Sequence, residues 1–467
     1  MNNPVTLNDA SDRAFLGHPV GLAYISFTEA WERFSYYGMQ TLLVLYMVNQ
    51  LLLPGHIENI AGFTAFRWFV EHLYGKELSV VALSSAIFGL YSGFVYLTPI
   101  AGGFIADRLL GKTSTIVVGA LLMSAGHFLM AFDFSFLIAL LCLLTGVGCF
   151  KGNLASQVSA LYAATDNRRA DAFQIYYLFI NAAVIISPLV CGTLGEKMGW
   201  HYGFGAAGVG MLISLVIYLS GKKWLPKEDA KAVKSAESAA PVVKAPLSKK
   251  ERNAIVVLLF LLPVLAVGSI GNQEIFNAYL LWVPQHIDLV FFGQVMPTTW
   301  LITLDATVSV SALVLSLLFW RWWAKRFPEP TEIYKMTIGL VLGTLGLVAL
   351  GIAGLISANG QKAGIEWVLA FEFLNAFGFA NLFPVGLALY ARSAPKAVAG
   401  TMMGVYYLNL FMCNNLVGWL GGLVERMSGA QFWFLHVALV GGSALVMFVI
   451  ARLFGKYLLP DELATSP

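Results

Sequence analysis

Apolar runs of about 20 residues or more recur from near residue 20 to near residue 454. A helix rises about 1.5 Å per residue, so each run is long enough to cross about 30 Å of hydrocarbon. The balance of the 467 residues agrees: 58% are hydrophobic and only 12% charged, which a water-soluble domain does not tolerate. The runs are continuous, whereas the strands of a membrane barrel alternate over segments of about ten residues. An all-α membrane protein is therefore expected. Because the runs fill the chain, no cleaved signal peptide is required.

Twelve transmembrane helices are predicted near 21–52, 78–106, 113–132, 136–163, 170–195, 201–220, 253–283, 297–325, 332–357, 365–392, 397–425 and 431–454. The seventh is interrupted by Gly268, Gly271 and Asn272. With both termini in the cytoplasm, 22 of the 29 lysines and arginines fall on the cytoplasmic side and five on the other, while Arg33 and Lys151 lie inside spans. That bias sets the orientation, and the expected site is the cell inner (plasma) membrane. Cys142, Cys149, Cys191 and Cys413 all fall in apolar spans without metal-ligand or CxxC spacing and read as packing residues. No metal, cofactor or nucleic-acid partner is expected.

The polar segment 221–252, rich in Lys, Ala and Pro, reads as a cytoplasmic linker between an N-terminal six-helix half, 1–220, and a C-terminal one, 253–467. This plan resembles the major facilitator superfamily, whose halves rock about a midplane site. The stretch Gly103-Phe-Ile-Ala-Asp107-Arg108-Leu-Leu-Gly111-Lys112, between the second and third helices, is similar to that superfamily's GxxxDRxxG[RK] loop. Asp107 and Arg108 are there expected to pair at the cytoplasmic gate; an ordinary positively charged loop is the alternative.

Inside the first span, Glu29, Glu32, Arg33, Tyr36, Tyr37 and Gln40 trace one helical stripe. Charges at mid-span cost about 2.5–3.5 kcal/mol each, so the stripe must face something polar. Either it lines a functional site or it is a self-satisfied ion network. Lys151, a lone intramembrane cation, calls for a partner on the same grounds.

The segment Glu29-Ala-Trp-Glu32-Arg33-Phe34-Ser-Tyr36-Tyr37-Gly38 resembles the ExxERFxYYG signature of the proton-dependent oligopeptide transporter family. The likeness continues in Gly146-Val-Gly-Cys-Phe-Lys151-Gly-Asn153, where Gly152 replaces a proline, in Phe179-Ile-Asn181, in Phe383-Pro-Val-Gly-Leu387 and in Ala399-Gly-Thr-Met-Met-Gly404. The resemblance implies that Glu29 and Glu32 couple protons. It also implies that Arg33 and Lys151 hold a peptide carboxylate and that Tyr36, Tyr37, Tyr96 and Asn181 line the pocket. The partners implied are a small peptide, protons and the lipid bilayer, with the chain acting as a monomer.

Three departures from the family pattern stand out, the first of them a pair of positions. The outer gate usually pairs an Arg with an acid, and the matching positions here are Gln40 and Asn272. Glu274, two residues on, lies about 200° around a helix and does not substitute. The tenth helix carries Phe379 where the family has a Glu, and the eighth carries Asp305 where it has Asn. Asp305 is expected to take over the peptide ammonium group, unless it merely caps or pairs within the bundle. Glu372, on the face of Phe379 but nearer the outer end, is a rival expected to be solvated.

Uphill import of di- and tripeptides with protons is the leading function, and about 2.3 kcal/mol per charge per 100 mV suffices for roughly fiftyfold accumulation. The alternative keeps the fold and the proton but carries another small amine-bearing or anionic solute. Export of apolar cations conflicts with the paired Arg33 and Lys151. No cluster has catalytic spacing, so an enzyme is not expected.

Overall fold

The structure, a computed structural model, describes residues 12–75, 77–163, 166–226, 247–395 and 398–458. Most of the predicted linker, 227–246, lies outside the described residues, as do Lys76 and Lys396 of the charge count.

Among the described residues every predicted span is helical. The first is Val20–Tyr46, the second Val80–Phe94 and Thr98–Ile105, the third Lys112–Leu129, the fourth Phe136–Ala160, the fifth Arg168–Ser187 and the sixth Trp200–Gly221. The seventh is in pieces, Lys249–Gly268, Ile270–Gln273 and Ala278–His286. The eighth to twelfth are Trp300–Ala324, Glu332–Ile356, Glu366–Ser393, Ala399–Gly421 and Gly429–Phe454. Ten segments are apolar enough over their length to cross a membrane on composition alone. The first and eleventh fall short because they carry Glu29, Glu32 and Arg33 in one and Asn409, Asn414 and Asn415 in the other.

The irregularities have local causes. Pro99 opens the second piece of the second span, and Pro188 opens a π-turn, Pro188–Gly192, in the fifth, since proline supplies no amide donor. In the seventh, Asn277 adopts φ −126°, ψ −108° and ends the helical run, beyond the predicted interruption at Gly268, Gly271 and Asn272. Two elements were not legible as spans. Phe63–Tyr74 is a short helix with Trp68, Phe69 and Leu73 exposed, and Val290–Phe291 pairs with Gln294–Val295 in a hairpin turned at Phe292 and Gly293, both at positive φ.

The chain forms two compact units, one of Met1–Trp68 with Leu97–Val242 and one of Phe69–Tyr96 with Val243–Pro467. In the first unit the opening span packs on the fifth and sixth. Ser35 Oγ donates to Ala207 O at 2.5 Å, Ser214 Oγ to Thr28 O at 2.7 Å, and Ser187 Oγ to Phe34 O. A Cβ at Gly38 would stand 2.6 Å from Cys191 Sγ, so glycine there lets the first and fifth spans meet. In the second unit, Val80–Phe94 lies along the eleventh span, where a Cβ on Gly89 would fall 2.5 Å from Asn414 O and 2.6 Å from Gly418 Cα.

Candidate functional site

The three serine bonds fix the rotation of the first span and turn its polar stripe inward within the first unit. Glu29, Glu32 and Arg33 are all buried, at 3%, 0% and 4% exposure. Arg33 Nε lies 2.5 Å from Glu32 Oε2 and 3.1 Å from Glu29 Oε1, and Arg33 Nη2 donates to Glu32 Oε1 at 2.9 Å. One guanidinium is therefore shared by two carboxylates. Lys151, from the fourth span, lies within the field of all three charges, which brings the cluster to two of each sign. Such a balance lets four charges persist in a low-dielectric interior.

The predicted aromatic lining divides. Tyr36 is buried, edge-on to Tyr37 at 5.3 Å, with the Arg33 guanidinium 5.4 Å above its ring. Asn181 spends an amide hydrogen on Tyr177 O at 2.7 Å. Tyr96 sits in the break between the two pieces of the second span. Tyr176, which sequence reasoning passed over, is buried with its hydroxyl against Glu29. Nothing in its local pattern separates it from a packing aromatic.

Of the gate residues, Gln40 is buried with no partner for its Oε1, and Asn272 Oδ1 accepts from Gln273 Nε2 at 3.1 Å. Asp107 and Arg108 lie exposed in a π-turn, Ala106–Leu110, with Arg108 over the Phe104 ring at 5.2 Å.

In the second unit, Asp305 is 9% exposed and packs against Glu372 of the tenth span, within hydrogen-bonding reach. The expectation that Glu372 is solvated is corrected: it is 0% exposed, and its Oε1 accepts from the Tyr279 hydroxyl at 2.5 Å. The seventh-helix break carries Tyr279 to this point, and no sequence period predicts a side chain beyond a break. Phe379 stacks on Phe383 at 5.3 Å and 8°. Glu274 is engaged elsewhere, accepting from Asn277 Nδ2 at 3.2 Å and Ala278 N at 3.1 Å, with His436 Nε2 at 3.4 Å.

A family model described as "POT family" matches residues 113–244. The chain is 26% identical to the peptide transporter YePEPT of Yersinia enterocolitica over 95% of this chain and 96% of that one. It is 27% identical to the di-/tripeptide transporter of Lactococcus lactis subsp. lactis, covering 85% and 88%. Over 113–244 the chain is therefore similar to the POT family. Its fold matches the solved structure of peptide transporter POT in complex with sulfate at a TM-score of 0.80, with 97% and 99% of the two chains covered and 23% identity. The structural likeness spans nearly the full length, so the fold is that of the solved peptide transporter. The motif resemblance carried by the first, fourth and fifth spans thus agrees with comparisons made over the whole chain.

Proposed function

We propose that this protein is a proton-coupled symporter that imports di- and tripeptides by alternating access of two six-helix halves, 1–220 and 253–467, joined by the segment 221–252. It works as a monomer in the inner membrane, with both termini in the cytoplasm, and catalyses no covalent chemistry. The observation that carries the reading is the buried cluster of Glu29, Glu32 and Arg33, in which one guanidinium serves two carboxylates with Lys151 in their field.

In this reading Arg33 and Lys151 receive the peptide carboxylate, with Tyr36, Tyr37, Tyr96 and Asn181 beside it. A second anion drawing on Arg33 leaves Glu32 without the cation that keeps it ionised, and Glu32 then takes a proton. Substrate and proton become linked because each changes the partner of the same side chain. Gln40 and Asn272 stand in for a charged outer gate, and Asp107 with Arg108 for the inner one. Asp305 accepts the peptide ammonium group.

One observation favours a second cargo class, small amine-bearing or anionic solutes: the tenth-helix position expected to be acidic is Phe379, stacked on Phe383. Both readings are tested by uptake into proteoliposomes under an imposed pH gradient, with unlabelled dipeptides as competitors. Driven uptake that dipeptides compete away supports peptide import. Driven uptake of another solute that dipeptides leave untouched supports the second cargo class.

A further inference from the structure

Asp305 and Glu372 present a chemical problem that ordinary packing does not solve. Both are buried, and they touch. Among the described residues no Lys, Arg or His pairs with either. The groups facing them are the Tyr279 hydroxyl from the seventh helix, donating to Glu372 Oε1, and the Ser309 hydroxyl one turn from Asp305. Asp305 Oδ1 and Glu372 Oε2 each remain buried with no donor. Two adjoining carboxylates without a cation repel strongly in a low-dielectric medium, and two buried acceptors without donors add a desolvation cost. A single proton held between the carboxyls removes both difficulties at once. It leaves one negative charge on the pair and gives the unserved oxygens a hydrogen bond.

We propose that Asp305 and Glu372 form one proton-sharing dyad in the second unit, a proton-binding site separate from the Glu29, Glu32 and Arg33 cluster. The dyad keeps its proton when a peptide binds, and its single negative charge is what the peptide ammonium group meets. This second step rests on the assignment of Asp305 to the peptide amino end; the dyad itself does not.

The test is infrared difference spectroscopy of the full chain in lipid, following the C=O stretch of protonated carboxyl groups at neutral pH. The expected result is a protonated-carboxyl band in the wild type that disappears in both Asp305→Asn and Glu372→Gln, since each acid alone ionises beside an amide donor. Alanyl-alanine is expected to shift the frequency of the band without bleaching it, and N-acetyl-alanyl-alanine to leave it unshifted. A band that survives in either single variant, or no band difference from wild type, overturns the dyad. A band that alanyl-alanine bleaches or leaves unshifted overturns the second step. The ligand comparison runs on wild type alone, so misfolding of a variant does not remove the test. Uptake assays judge the transport reading without reference to this band, so the two failures are distinguishable.

Discussion

The Tyr279 hydroxyl reaches across 93 positions of sequence to donate to Glu372 Oε1 at 2.5 Å, tying the last piece of the broken seventh helix to the tenth. Both side chains are 0% exposed, so neither has water as an alternative partner. Tyr279→Phe is expected to lower stability by about 1–3 kcal/mol, the cost of a buried acceptor left without its donor. A thermal-shift comparison in detergent checks it, and an unchanged melting temperature refutes it.

Arg33 and Lys151 balance two buried carboxylates. Removing either cation is expected to abolish gradient-driven peptide uptake, a loss of more than a hundredfold if the pairing is worth the ~3–5 kcal/mol of a broken buried pair. Arg33→Ala and Lys151→Ala, purified as monodisperse protein and tested in proteoliposomes, provide the measurement. Normal driven uptake by either variant contradicts the assignment.

Glu32→Gln keeps the shape of the side chain and removes its proton exchange. Counterflow of labelled for unlabelled peptide is expected to continue, while accumulation under a pH gradient is lost. Accumulation by Glu32→Gln assigns the proton to another acid.

Asp305→Asn is expected to weaken a free dipeptide by about 1.5–3 kcal/mol, the size of a charge-assisted hydrogen bond, or roughly ten- to a hundredfold. Its N-acetylated analogue, which has no ammonium group, is expected to lose much less. Inhibition constants for the two ligands decide the matter, and equal losses dissociate Asp305 from the amino terminus.

Outside the membrane, Arg168 clasps the N-terminal segment. Its Nη2 lies 3.0 Å from Asp12 Oδ2 and 2.9 Å from Asp166 Oδ2, and its Nη1 donates to Gly17 O at 3.3 Å. The hydrogen bonds from Arg168 hold Asp166 below the usual carboxylate range. A carboxyl depressed in the folded state adds stability above its unfolded value and loses it as pH falls through the folded one. The clasp is therefore complete at neutral pH and loosens below about pH 4, the unperturbed aspartate value. Hydrogen exchange across 12–17 is expected to show faster amide opening in acid, after correction for intrinsic rates. Arg168→Ala should show that opening at neutral pH, and protection that does not change with pH or with the substitution removes the clasp.

The spans were legible because apolar length alone identifies them, and the ionic stripe because 29, 32, 33 and 36 share one helical face. What stayed hidden depends on contacts between distant segments. Glu372 looked like a solvated end residue because its surroundings are supplied by Tyr279 and Asp305, from two other helices. Tyr176 and the Glu274–His436 contact were missed for the same reason: their partners come from other spans, and in the seventh the helical phase is lost at Asn277. The short helix Phe63–Tyr74 was obscured by its length, which is below what periodicity resolves.

Where the first piece of the second span lies along the eleventh, the closest meeting is Gly89 against the backbone of Asn414 and Gly418. Backbone contact of this kind holds by dispersion at short range, and one turn on the Phe94 ring meets Phe411 edge-on at 5.5 Å. A side chain grown on Gly89 would have to force the backbone of Asn414 and Gly418 away, so a leucine there would act as a wedge between the two helices.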